Sequence, residues 1–150
     1  MRITKRTNIA FRILMFCGVN SDRLVTKSEI ATRCKTSESH LAQVINHLAQ
    51  MGFLRTQRGR AGGIALARPM DKIDIGDVFR RLEVNTGVAE CFADVDNTCP
   101  LVSGCRLRLA LFDAMEAFHA HLDGMTLSDL VCDNTALFDI IAPQPCTERA

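Results

Sequence analysis

TSESHLAQVINHLAQMGFLRTQRGRAGGIALA, residues 36–67, is the stretch whose reading decides the fold. In its first half Leu41, Val44, Ile45, Leu48 and Met51 recur at steps of three and four, which places one apolar stripe along a helix. Thr36 or Ser37 is the cap that opens it, and Gly52 is its stop. Ser39, His40, Gln43, Asn46 and His47 then point away from the core. In the second half two short β-branched or apolar runs, Phe53–Gln57 and Ile64–Ala67, flank Arg58-Gly-Arg-Ala-Gly-Gly63. That pattern is a hairpin with a basic, glycine-rich tip.

Upstream, Thr26-Lys27-Ser28-Glu29 is a capping box that opens a short helix ending near Cys34. A turn of three or four residues separates it from the polar-faced helix. Further back, Ile9, Ile13, Phe16 and Cys17 fall at helical spacing, predicting a helix over residues 4–18 closed by Gly18. Helix, short helix, outward-facing helix and basic hairpin, in that order, form a winged helix-turn-helix.

Downstream of Pro69, Asp74 caps a helix through Val78, Phe79 and Leu82. Residues 85–104 form a loop rich in Asp, Asn and Gly. Leu107, Leu111, Met115, Phe118, Leu122 and Met125 then repeat at steps of four and three, a near-heptad stripe seeking a partner helix. A second copy related by a two-fold axis satisfies that stripe and suits palindromic duplex sites, so a homodimer is expected with Leu111, Met115, Phe118 and Leu122 at its seam. Thr126 to Asp129 is a second capping box opening a short helix through Val131, and Pro143 and Pro145 mark a frayed end. The expected architecture is mainly α with a small β-hairpin. It comprises a winged head (residues 1–83), a cysteine loop (84–105), a dimerisation helix with a short terminal helix (106–141) and a flexible tail (142–150).

The net charge of +1 conceals an uneven distribution. Residues 1–70 carry twelve Lys/Arg against three Asp/Glu, and the remaining 80 carry six against fourteen. A local positive excess is what phosphate neutralisation needs, so a double-stranded DNA operator is the expected partner, against ordinary solvated charge as the alternative. The absence of Trp and Tyr weakens single-strand binding by base stacking. No 18-residue apolar run or secretion signal is present, so a cytoplasmic protein with no membrane association is expected. No Ser/His/Asp arrangement, nucleophile elbow or phosphate loop stands in a suitable context, so no enzymatic activity is expected.

Seven cysteines, an odd number, argue against a disulfide framework. Cys91, Cys99 and Cys105 lie within fifteen residues, close enough for three thiolates to serve one soft metal centre. An iron-sulfur cluster, a structural zinc ion and inert buried thiols all remain open on spacing alone, although zinc usually takes Cys-x2-Cys pairs that are absent here. Cys17 and Cys34 sit in apolar helical contexts and read as core. Cys132 and Cys146 have no visible partners, and His119 and His121 read as surface or packing residues rather than ligands.

DNA contact follows from position. Ser39, His40 and Gln43 occupy the N-terminal outward part of the recognition helix and reach base edges. Arg58 and Arg60 on the hairpin enter a narrow minor groove, and Arg2, Lys5 and Arg6 touch phosphates. Solvated surface is the alternative for each of these groups.

The opening Met1-Arg-Ile-Thr4, the Arg58–Gly63 wing, Ile75-Gly-Asp-Val78, Glu90-Cys-Phe92, Cys99-Pro100, Cys105-Arg-Leu107 and Thr126–Val131 together resemble the winged-helix regulators of the NsrR, RirA and IscR family over residues 1–141. The resemblance implies a cluster ligated by Cys91, Cys99 and Cys105, of [4Fe-4S] type in the NsrR-like and RirA-like branches and [2Fe-2S] in the IscR-like branch. IscR-like proteins carry a further His ligand three residues after the last Cys. Here that position is Arg108, which stays protonated and cannot ligate iron. In NsrR-like proteins an Asp near the N-terminus of the other protomer completes the cluster; the matching residue is Asn8, a poor ligand. Asn8 and Met15-Phe-Cys17 resemble the iron-responsive RirA-like branch, and residues 127–141 resemble the nitric-oxide-responsive NsrR-like branch, which is favoured. The implied function is a repressor whose operator binding ends when nitric oxide attacks the cluster, with iron-responsive control of uptake genes as the alternative. A zinc-stabilised adaptor and an electron-transfer protein explain neither the basic head nor the wing.

Overall fold

The computed structural model describes residues 3–83, 89–92 and 97–141. Arg2, most of residues 84–96, Cys146 and the 142–150 tail therefore lie outside the described residues.

Helix α1 (Lys5–Val19) starts where the Thr4 side chain accepts from the Thr7 amide. Gly18 does not stop it. A Cβ there would lie 3.0 Å from Met70 Sδ and 3.1 Å from Val131 Cγ2, so Gly18 is a point of close approach inside the helix, whose cap is Asn20. Helix α2 (Lys27–Arg33) opens with the expected Thr26–Glu29 capping box. Helix α3 (Glu38–Gln50) follows a turn in which Lys35 has φ 48°. Ser37 stands at its N-cap but makes no capping bond; its Oγ lies 2.9 Å from His40 Nδ1 instead. Leu41, Val44, Ile45 and Leu48 are buried, as the stripe requires.

Strands β1 (Leu54–Gln57) and β2 (Gly63–Leu66) pair antiparallel, with Leu54 opposite Leu66 and Gln57 opposite Gly63. The tip turns through Gly59 at φ 108°, a left-handed conformation that glycine adopts without strain. Val25 and Ile64 exchange backbone hydrogen bonds of 2.9 and 2.8 Å, which fastens the wing to the segment before α2.

Asp74 caps α4 (Ile75–Leu82) by accepting from the Asp77 amide. Helix α5 (Arg106–Asp123) is about 27 Å long at 1.5 Å per residue. The chain then returns to the head: Ile75 donates to the Met125 carbonyl and Leu127 to the Ile73 carbonyl, at 2.9 and 2.8 Å. Helix α6 (Leu127–Val131) buries Leu127 and Val131 in the same core as Ile13, Phe16, Leu48, Phe53 and Val78. A further helix, α7 (Thr135–Ile141), was not foreseen from sequence and adds Ile141 to that core. The short terminal helix α6, grouped with the dimerisation helix from sequence, packs together with α7 on the core of the head.

Candidate nucleic-acid interface and cysteine loop

Helix α3 is held from behind by its apolar stripe, which leaves Ser39, His40, Gln43 and Asn46 exposed. The Lys27–Glu38 ion pair, 3.1 Å, fixes its start against α2. His40 and Gln43 share a shallow cavity of about 320 Å³ with Lys5, Arg6 and His47, floored by Ile9 and Val44. The residues assigned to base reading and those assigned to phosphate thus meet on one face, although some 35 residues separate them in sequence.

Arg6, exposed on this face, is also tied within the chain. Its Nη2 donates to the Leu82 carbonyl at 2.5 Å, so the guanidinium satisfies an orphan carbonyl at the α4 C-terminus, where a cation is favoured by the helix dipole. Beside it, the Thr4 amide and hydroxyl both donate to Glu83 Oε1, at 2.9 and 2.8 Å. These ties fix the start of α1 to the residues that lead into the cysteine loop. Lys5 remains exposed, and Arg58 and Arg60 stand exposed on the wing tip. Arg68 and Arg81 both lie over the Phe53 ring at the wing's base, 5.0 and 5.5 Å from its centroid.

Cys91, Cys99 and Cys105 are free and half-buried. Cys91 lies in a 3-10 turn (Glu90–Phe92), and Cys105 is the N-cap of α5, its Sγ accepting from the Arg108 amide at 3.4 Å. Glu90 Oε1 accepts from both the Thr98 amide and its hydroxyl at 2.7 Å, joining the neighbour of Cys91 to the neighbour of Cys99. The hydrogen bonds from Thr98 hold the Glu90 carboxyl below its ordinary range. Arg108 Nε donates to the Cys91 carbonyl at 3.1 Å. Among the described residues no three His, Cys, Asp or Glu side chains converge as the ligands of a single metal ion would. An iron-sulfur cluster would be held by cysteine thiolates, and the three half-buried thiols on adjoining segments, Cys91, Cys99 and Cys105, fit that donor chemistry.

The remaining described thiols differ. Burial, with a smaller contribution from neighbouring Cys34, pushes the Cys17 thiol up to about 12, and burial also raises Cys34. Both stay protonated and serve packing, as expected. Cys132 is exposed, its Sγ 3.2 Å from Ser128 Oγ. Asn8 is exposed on α1.

Helix α5 has no fully buried residue. Its stripe divides into two parts. Phe118 meets Phe79 edge-on at 5.1 Å and Leu122 packs on the head core, so these two members of the expected seam have partners within the chain. Leu111 and Met115 are half-buried, whereas Leu107, Leu109 and Phe112 are 66, 63 and 52% exposed. Among the described residues, the exposed apolar surface of α5 therefore sits on its N-terminal half. At the other end Arg80 forms a two-pronged ion pair with Asp123, and a Cβ on Gly76 would collide with that carboxylate. His119 packs edge-on against both Phe79 and Phe118, at 5.8 and 5.6 Å between ring centroids.

No helix among the described residues is long and apolar enough to cross a membrane. The chain is 41% identical over 142 residues to an HTH-type transcriptional regulator NsrR of Geobacillus kaustophilus, covering 94% of this chain and 97% of that one. It is 39% identical over 137 residues to the HTH-type transcriptional repressor NsrR of Streptomyces coelicolor, covering 90 and 91%. Among solved structures, T. potens IscR superposes with a TM-score of 0.67 at 23% identity over 87% of this chain and 85% of that one, which establishes a shared fold. A family model described as Rrf2, iron-dependent transcriptional regulator, matches residues 3–133. The chain is therefore a transcriptional regulator and belongs to the Rrf2 family.

Proposed function

We propose that this regulator is a homodimeric repressor that binds a palindromic operator and releases it in response to nitric oxide, through an iron-sulfur cluster of [4Fe-4S] type held by Cys91, Cys99 and Cys105. What carries the proposal is the placement of Cys105. It caps the same helix whose far end is locked to α4 through Phe118–Phe79 and Asp123–Arg80. Helix α5 is thus a rigid lever between the loop and the head. When bound, a cluster supplies irons that nitric oxide attacks directly, which protein thiols alone do not offer.

The chain's own residues do the rest. Engaged thiolates pin the 91–99 arm to the first turn of α5, and the exposed Leu107, Leu109 and Phe112 face a second copy. Leu111 and Met115 flank that surface. Two heads are then held at one separation, presenting Gln43 and His40 to the major groove and Arg58 and Arg60 to the minor groove. Freed thiolates release the arm, and the dimer shifts toward states whose heads no longer match both half-sites.

Two sequences named NsrR at 39–41% identity support nitric oxide as the signal. One observation favours iron as a second reading. Asn8 offers a neutral amide where an acidic ligand would otherwise stand, which makes a fourth cluster position easier to lose. The test is anaerobic purification with iron and sulfide analysis, followed by operator binding during titration with nitric oxide and with an iron chelator. Release by a few equivalents of nitric oxide per cluster supports the first reading; release by chelator alone at modest concentration replaces it with the second.

A further inference from the structure

Arg108 occupies the first turn of α5 and makes three contacts that converge on the cysteine loop. Its amide donates to Cys105 Sγ, its Nε donates to the Cys91 carbonyl at 3.1 Å, and its guanidinium lies 5.5 Å from the centroid of the Phe92 ring. A hydrogen-bonded, stacked guanidinium is fixed in both position and plane, which a flexible ammonium is not. The second arm is joined to the first by Glu90 and Thr98. These bonds are made by protein groups and join the three cysteine-bearing segments to one another.

We propose that Arg108 is a positioning residue for the cluster. It holds the Cys91 arm against the α5 N-terminus before iron arrives, so that Cys91 and Cys105 are presented together and the ordering cost of closing the loop is already met by the fold. The proposal rests on the cluster reading above. Arg108 does not ligate; it fixes the backbone of one ligand relative to the helix cap that carries another. Outer partners of this kind commonly change metal affinity by about 10- to 100-fold when removed.

The experiment uses the full-length protein and its Arg108→Ala and Arg108→Lys variants, with helical content checked by circular dichroism. In cluster-free protein, hydrogen exchange is followed in peptides covering residues 89–92 and 97–99. Cluster assembly from ferrous iron and sulfide under nitrogen, and loss to a chelator, are followed by visible absorbance. Arg108→Ala is expected to lose protection in those peptides while α5 keeps its own, to assemble about tenfold more slowly and to release iron about tenfold faster. Arg108→Lys, with the charge but without the planar fork, is expected to recover only a minor part. Unchanged protection, or lost protection with unchanged assembly and loss, overturns the positioning role. The two possible failures separate cleanly. A wild-type protein that takes up no iron and sulfide defeats the cluster reading and this proposal with it, whereas wild-type uptake matched by Arg108→Ala defeats the proposal alone.

Discussion

Surroundings divide the described cysteines by chemistry. Cys17 is enclosed in the head core, where burial pushes its thiol up to about 12, and is out of reach of a cluster in the loop, whereas the loop thiols are half-buried and reachable. Replacing Cys99 by Ala is therefore expected to abolish iron and sulfide retention in anaerobically purified protein, and Cys17→Ala to leave it intact; full cluster content in Cys99→Ala removes that residue from the ligand set. On the DNA face, Gln43→Ala is expected to cost roughly 1 to 3 kcal/mol on the operator and little on random duplex, because base contacts carry sequence information. Lys5→Ala is expected to weaken both and lower the salt slope, as phosphate contacts do. Equal losses for Gln43→Ala on both duplexes would take it off the reading surface. At this scale the spacing of Cys91, Cys99 and Cys105 and the outward positions of α3 were legible in the chain. The tie of Arg6 to the Leu82 carbonyl was not, because it joins residues 76 positions apart and depends on where α4 ends.

Local patterning predicted the helices well where capping chemistry and apolar period agree, as at Thr26–Glu29 and Leu41–Leu48. It misread Gly18, whose role is a close approach to Met70 and Val131 rather than a helix stop. It also read the α5 stripe as one continuous seam. Period alone cannot distinguish an apolar side chain that meets its own head, as Phe118 does, from one left for another chain. Helix α6 is integral to the head core, so Leu127→Ala is expected to destabilise the fold by roughly 2 to 5 kcal/mol in chemical denaturation. The α4–α5 joint has a pH signature. The hydrogen-bonded Arg80 guanidinium holds the Asp123 carboxyl below its ordinary value of 3.8. Its contribution is accordingly present above about pH 4 and is lost as pH falls through the lower folded value. Below pH 4 the melting temperature of the wild type is expected to fall more steeply than that of Asp123→Asn; parallel curves would show that the pair contributes nothing.

In the whole molecule, the proposed two-fold dimer, with its geometry set by the loop, would account together for a basic head, a thiol loop and a half-bare lever helix. Leu107→Asp with Phe112→Asp is expected to yield a monomer by light scattering with weakened operator affinity, since one head engages one half-site. The uneven charge and the heptad stripe suggested this division of labour from sequence, whereas the α4–α5 joint at Arg80, Asp123 and Gly76 required the packed structure, and the proposed coupling runs through it. The most direct test of that coupling is fluorescence anisotropy of an operator duplex, selected from a random library by the cluster-loaded protein, during anaerobic titration with nitric oxide. Dissociation within the mixing time at a few equivalents per cluster, with Cys99→Ala showing no high-affinity binding at the outset, is the predicted result. Binding that persists unchanged through complete nitrosylation, or a Cys99→Ala protein that binds the same duplex as tightly as the loaded wild type, would contradict it.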